Sequence, residues 1–124
     1  MRRTISIVGA IVAAGWLAVS PAYAQGKLNV ITTTQDLASI AQEVGGDRIT
    51  VEALARGYQD PHFVDAKPSF ILKLQKADLL VVVGRDLEIG WLPPLIQQSR
   101  NAKIQVGADG YIDASAGARI LEIP

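Results

Sequence analysis

The sequence predicts an α/β domain, with four parallel strands in one sheet and helices flanking it. Strand-like and helix-like segments alternate along the chain, as they do where helices connect parallel strands. The run from Leu79 to Val83 is apolar without interruption, which predicts an interior strand buried on both faces of the sheet. The chain contains no cysteine, so a hydrophobic core rather than disulfide bonds must stabilise the fold.

The first half of the domain supplies two strands and a helix. The segment LNVIT predicts a strand over residues 28–32, and Thr33 is placed to cap the helix that follows. Apolar residues recur there at helical spacing: Leu37, Ile40, Ala41 and Val44. The pair Gly45-Gly46 ends the helix because glycine adopts the left-handed conformation easily. Apolar and polar residues alternate over 49–54, which predicts an edge strand with one solvent-facing side.

The second half supplies two helices and two strands. Pro68 suits the first turn of a helix, where its missing N–H is not needed. The strand over 79–83 follows, and the segment WLPPLIQQSR predicts a helix with its two prolines in the first turn. The segment KIQV predicts a short fourth strand over 103–106. The segment ARILEI at 118–123 fits either a strand or a helix.

Residues 1–24 have the pattern of a cleavable signal peptide. A basic start precedes an apolar run, and small residues precede Gln25. A membrane-spanning helix would need about 20 apolar residues, and this run is shorter, so export is preferred to anchoring. A lipid-anchored protein would carry a cysteine at position 25. We therefore expect an exported, periplasmic chain that is not lipid-anchored, with one domain over residues 25–124.

Charge gives no indication of a nucleic-acid partner. Lys and Arg together number 12, as do Asp and Glu, and the predicted leader removes two arginines and no acid. The exported chain is therefore slightly acidic and has no basic cluster, so we expect no nucleic-acid binding. We expect it to be a monomer.

The only histidine of the chain, His62, lies in a loop after the second predicted strand. Pro61 fixes its own φ angle and holds Asp60 extended, so the backbone entering His62 is stiff. Asp60 is placed to accept one ring N–H and so to orient the imidazole, as carboxylates do beside metal-bound histidines. Parallel strands end at one edge, where such sheets bind ligands, and Thr33, Asp86 and Glu88 follow strands there as well. Alone, a loop histidine is weak evidence for a metal ligand.

The stretch from Glu43 to Leu95 carries an ordered series of short motifs. The first three motifs are a double glycine with aspartate, a D-P-H turn followed by an aromatic residue, and a P-S pair that begins a helix. An L-x-x-A-D-L segment follows and leads into a strand that ends in glycine. A glutamate and a tryptophan complete the series. The residues are Gly45, Gly46, Asp47, Asp60, Pro61, His62, Phe63, Pro68, Ser69, Leu74, Ala77, Asp78, Leu79, Gly84, Glu88 and Trp91. This series resembles the N-terminal lobe of the substrate-binding proteins of zinc and manganese ABC transporters, called cluster A-I. The segment FVDAKPS departs from the usual pattern but leaves the histidine unchanged.

The resemblance implies a function and a site. It implies a Rossmann-like lobe, one half of a bilobal solute-binding protein, in which His62 is the first ligand of Zn²⁺ or Mn²⁺. The metal would be a transported ligand rather than a catalytic cofactor, delivered to the membrane permease of an ABC transporter. The chain ends before the linking helix, the second lobe and the remaining ligands that the resemblance implies. One imidazole cannot hold zinc against water, so we expect weak binding by residues 25–124 alone.

Two other functions remain open at this point. An exported α/β hydrolase-like enzyme would use His62 as general base and Asp60 to orient it. Its nearest hydroxyl apart from Tyr58 is Ser69, and no G-x-S-x-G segment surrounds it. A surface adhesion module could reuse the same scaffold without metal transport.

Overall fold

The computed structural model describes residues 26–121. Strands and helices alternate through this part of the chain. The elements are β1 (Leu28–Thr32), α1 (Gln35–Gly45), β2 (Ile49–Ala53), α2 (Pro68–Gln75), β3 (Leu79–Val82), α3 (Leu92–Ser99) and β4 (Tyr111–Asp113). Short 3₁₀ turns lie at Gly46–Arg48 and Ala102–Ile104. The predicted leader and the residue at its cleavage point, Gln25, lie outside the described residues.

All four strands of the described sheet are parallel, in the order β2-β1-β3-β4. Val30 of β1 pairs with Val51 of β2 on one side and with Leu79 of β3 on the other. The predicted α/β class is therefore confirmed, as are the edge position of β2 and the interior position of β3. No helix within residues 26–121 is long and apolar enough to cross a bilayer.

The predicted strand over 103–106 is wrong. Residues 102–104 form a 3₁₀ turn capped by Asn101, whose side chain accepts the Lys103 N–H at 3.0 Å. This turn directs Ile104 into the core, where it is fully buried. The chain rejoins the sheet at Gly110, where any β-carbon would collide with the carbonyl oxygens of Lys103 and Asp78. The fourth strand is therefore β4, which pairs with β3.

One face of the sheet carries the hydrophobic core. Ile31, Leu80 and Val82 point to this face and pack under α2 and α3. The helices contribute buried side chains of their own: Phe70, Leu74, Leu92, Leu95 and Ile96. The predicted proline starts of both helices are confirmed, because Pro68 and Pro93 lie in first turns. This core sets the positions of the loops at the strand ends.

The opposite face is covered by α1 alone within the described residues, and no residue of α1 is fully buried. Beside α1 lies an apolar groove of about 380 Å³, lined by Val30, Leu79, Val81 and Ile112 among others. Ile40 and Val44, on the predicted apolar stripe of α1, are 60% and 84% exposed. The prediction that β3 is buried on both faces is therefore wrong for one face, because a single helix cannot cover four strands.

The capping of α1 also differs in detail from the prediction. Thr34, not Thr33, caps the helix: its hydroxyl accepts the Leu37 N–H at 3.4 Å. The predicted end is confirmed, because α1 ends at Gly45 and Gly46 follows with a positive φ of 54°. The Thr33 hydroxyl instead donates a hydrogen bond to Glu88.

Asp78 connects three segments at the opposite edge of the sheet. Its carboxylate accepts the Asn29 N–H at 2.9 Å and the Lys103 ammonium at 2.7 Å. These two contacts, the Asn29 N–H first, lower the pKa of Asp78 below its ordinary value. The charged form therefore stabilises the folded state.

We predict that Asp78→Asn lowers the free energy of unfolding by about 1 kcal/mol at pH 7. Since the pKa is lower in the folded than in the unfolded state, the stabilisation is present above the unfolded value, about 3.9. This stabilisation is lost as the pH falls through the pKa that Asp78 has in the folded state. Urea unfolding at several pH values should show the difference between wild type and variant shrinking below about pH 4. The exposed Asp109→Asn is the control, and an equal pH profile for both variants would contradict the prediction.

Candidate metal-binding site

The predicted site residues lie at the carboxyl edge of the sheet. Thr33 directly follows β1, His62 lies in the loop after β2, and Glu88 lies in the loop after β3. The loop after β2 continues the pairing with β1 for two residues, because Leu54 and Ala55 donate N–H groups to the carbonyls of Thr32 and Thr33. Both arms of this loop are held in the core, since Leu54, Ala55 and Val64 are buried.

Asp60 holds His62 through two contacts. Its Oδ1 accepts the His62 backbone N–H at 2.9 Å and lies 2.7 Å from the ring nitrogen Nδ1. These contacts, the backbone N–H first, lower the pKa of the Asp60 carboxyl below its ordinary value. The carboxylate is therefore ionised at neutral pH and can only accept hydrogen bonds.

The Asp60 contact decides which ring nitrogen is available to a ligand. Because Asp60 can only accept, Nδ1 of His62 carries the proton. In the neutral ring the lone pair is then on Nε2, which is the donor that a metal ion requires. The predicted orienting contact of Asp60 is thus present in the structure, while the roles of both residues in metal binding remain predictions.

The imidazole lies at the surface. The side chain of His62 is 58% exposed and that of Asp60 is 57% exposed. Phe63 and Tyr58 beside them are also exposed, at 83% and 80%. The open ring of His62 can be reached by a ligand from solvent.

The described residues supply one clear metal donor. Within residues 26–121 no group of three or more His, Cys, Asp or Glu side chains is placed to hold a metal ion. Zinc sites in proteins normally use three or four protein ligands. The geometry therefore fits a partial coordination shell, in which Nε2 of His62 provides one position.

Glu88 is buried at the same edge, with 5% of its surface exposed. Its Oε1 accepts the Thr33 hydroxyl at 2.6 Å and the Val83 N–H at 2.7 Å, and its Oε2 accepts the Gly84 N–H at 3.2 Å. Glu88 joins the ends of the neighbouring strands β1 and β3.

The turn before Glu88 is held in an unusual backbone conformation. Gly84, Arg85 and Asp86 have positive φ angles of 88°, 54° and 62°. Non-glycine residues adopt this left-handed region at a steric cost, and such conformations persist only where the surroundings impose them. The contacts of Glu88 with the Val83 and Gly84 N–H groups impose the turn.

Trp91 links this turn to the histidine loop. Its indole Nε1–H donates to the carbonyl oxygen of Pro61 at 2.8 Å, and its ring is 5% exposed. Trp91 is therefore part of the hydrophobic core. The hydrogen bond was not anticipated. The E-x-x-W spacing was the available signal, since it places Trp91 about one turn beyond Glu88.

Comparison with known proteins identifies the family of this domain. The family model described as zinc-uptake complex component A, periplasmic (ZnuA), matches residues 30–121. A crystal structure of ZnuA superposes with a TM-score of 0.62 over 78% of this chain and 35% of that one, at 23% identity, which shows the fold.

Two curated relatives are named as substrate-binding proteins of metal ABC transporters. The metal ABC transporter substrate-binding lipoprotein FimA of Streptococcus parasanguinis is 32% identical over 129 residues, covering 98% of this chain and 40% of FimA. The manganese ABC transporter substrate-binding lipoprotein PsaA of Streptococcus pneumoniae is 32% identical over 98 residues, covering 77% of this chain and 30% of PsaA.

The fold and the matches define the class of this domain, a parallel α/β domain with the fold of ZnuA-like solute-binding proteins. The chain belongs to the ZnuA family of periplasmic metal-uptake proteins. It spans 40% of the length of FimA and 30% of the length of PsaA.

The expectation that the protein is not lipid-anchored is contradicted by these relatives. FimA and PsaA are both named lipoproteins. The expectation rested on a single position, Gln25, where a lipid-anchored protein would carry a cysteine. Placement outside the cytoplasm agrees with the family description.

We predict that Glu88→Gln lowers the free energy of unfolding by about 1–3 kcal/mol. Glu88 accepts hydrogen bonds from one O–H and two N–H donors. A glutamine side chain must turn its NH₂ group toward one of these donors, which then has no acceptor. Urea unfolding followed by circular dichroism measures the loss. The exposed Glu43→Gln on α1 is the matched control and should stay within about 0.5 kcal/mol of wild type. Equal unfolding midpoints for the two variants would disprove the role of Glu88.

Proposed function

We propose that this chain is the metal-capturing lobe of a periplasmic substrate-binding protein that delivers Zn²⁺ or Mn²⁺ to the permease of an ABC transporter. The metal is cargo in this proposal, and the lobe catalyses no reaction. The observation that carries it is the exposed His62 ring, whose Nδ1 faces Asp60 at 2.7 Å and leaves Nε2 free at the ligand-binding edge. Membership of the ZnuA family supports this assignment.

The proposal includes the domain arrangement. Residues 1–24 act as the export signal, and residues 25–124 form the N-terminal lobe of a two-lobed receptor. The shares of FimA and PsaA that the chain covers, 40% and 30%, support this arrangement. The other donor atoms then come from the second lobe, and the metal lies between the two.

Both metals stay within the proposal for a chemical reason. Nitrogen-rich sites favour zinc and oxygen-rich sites favour manganese, and His62 supplies a single nitrogen to a shell completed elsewhere. The family description names zinc, whereas PsaA is named for manganese. The receptor acts as a monomer in this proposal, and its slightly acidic composition supports a role without nucleic acid.

We predict that His62→Ala removes most of the Zn²⁺ and Mn²⁺ affinity of the protein expressed to its natural stop codon. The variant loses the Nε2 donor itself. Asp60→Asn should weaken binding less, by about 10–100-fold, because it removes only the group that orients the ring. Competition titration against a chelating dye measures both affinities.

Phe63→Ala is the matched control, since Phe63 is the exposed neighbour of His62 and has no donor atom. Its affinity should equal that of wild type. A His62→Ala protein that still binds both ions at wild-type affinity would end the proposal.

A further inference from the structure

We propose that Trp91 is a positioning residue for His62, acting through the hydrogen bond from its indole N–H to the Pro61 carbonyl. The inference rests on the proposed function, since it concerns how the metal-binding imidazole is held. Trp91 supplies no metal donor itself, because its indole nitrogen carries the proton that it donates to Pro61. Its effect passes through the peptide that joins Pro61 to His62.

The contacts of the histidine loop divide into local and distant ones. Asp60 contacts both the N–H and the ring of His62, and the Phe63 N–H donates to the Asp60 carbonyl at 3.0 Å. These bonds join residues at most three positions apart, so they orient the ring only within its own loop. Within the described part of the chain, the Trp91 bond to Pro61 is the one hydrogen bond that ties residues 60–63 to another element.

The Pro61 carbonyl lies directly before His62 in the chain, so the hydrogen bond from Trp91 acts on the backbone of the histidine. The Pro61 carbonyl belongs to the peptide group that leads directly to the α-carbon of His62. Holding its oxygen at 2.8 Å from Nε1 of Trp91 therefore limits the direction in which the imidazole projects. Pro61 adds its own restraint because its φ angle is fixed by the pyrrolidine ring.

Trp91 is itself attached to the sheet. Its backbone N–H donates to the Glu88 carbonyl at 3.2 Å, and the Glu88 carboxylate is bound by Thr33, Val83 and Gly84. The indole ring packs against Phe70 of α2, with ring centroids 6.5 Å apart. A continuous series of bonds therefore runs from the ends of β1 and β3 to the peptide before His62.

This arrangement has a consequence for metal affinity. A ligand side chain that is 58% exposed must lose orientational freedom when it coordinates a metal, unless its backbone is already held. Groups that orient metal ligands typically change affinity by about 10–100-fold. A bond that acts through the backbone should lie at the lower end of this range.

Trp91→Phe tests the proposal because it removes the indole N–H and keeps an aromatic ring in the core. Phe70→Leu is the matched control: it disturbs the packing of the same ring but leaves the N–H bond in place. Both variants are made in the protein expressed to its natural stop codon. The measurements are Zn²⁺ affinity by dye competition, and the order of the His62 and Phe63 amides by ¹⁵N relaxation without metal.

We expect Trp91→Phe to lower Zn²⁺ affinity about 10-fold and to lower the order of the two amides, while Phe70→Leu changes neither. Wild-type affinity and loop order in Trp91→Phe would overturn the proposal. An equal loss of affinity in Phe70→Leu would also overturn it, because general loosening of the core would then explain the effect.

His62→Ala separates this proposal from the one on which it rests. If His62→Ala loses affinity while Trp91→Phe does not, the positioning role is wrong and the metal site stands. If His62→Ala binds Zn²⁺ as wild type does, the metal site is wrong and the positioning role falls with it. The expected order of Zn²⁺ affinities is wild type, then Trp91→Phe, then His62→Ala.

Discussion

The carboxyl edge of the sheet depends on one buried side chain, that of Glu88. Glu88 accepts hydrogen bonds from the Thr33 hydroxyl and from two backbone N–H groups after β3, and it is 5% exposed. A carboxylate can be buried only where hydrogen bonds replace its hydration, so these partners must stay together. The ends of two adjacent strands and the left-handed turn between β3 and α3 are held as a unit as a result. The other features of the edge are built on this unit.

Rigidity and exposure are divided between two loops at this edge. The loop between β3 and α3 buries its side chains Glu88 and Trp91 and is bonded to the sheet. The loop with Asp60 and His62 instead presents the imidazole to solvent. A single indole hydrogen bond joins them. This division is the common solution for binding residues, which lie on loops that a rigid scaffold positions.

The two faces of the sheet are covered to different extents. Its core face is closed by α2 and α3, while its other face carries α1 and an open apolar groove. Parallel sheets are usually covered on both faces. Within residues 26–121 the second face is only partly covered, because α1 is the one helix packed on it.

Local chemistry made much of this fold predictable. Gly45-Gly46, Pro68 and Pro93 mark helix ends because their backbone preferences act within a few residues. The loop after β2 and its D-P-H turn could be placed at the carboxyl edge because parallel strands share that edge. The same local rules failed at 103–106, where the Asn101 cap and burial of Ile104 outweighed a strand-like pattern.

Only the tertiary structure decided which residues far apart in the sequence contact one another. Thr33 and Glu88 are 55 positions apart, and Pro61 and Trp91 are 30 apart. No local propensity specifies such a partner, because the pairing arises when neighbouring strands bring their following loops together. The sequence by itself determined which residues stand at the ligand edge, and packing determined which of them hold one another.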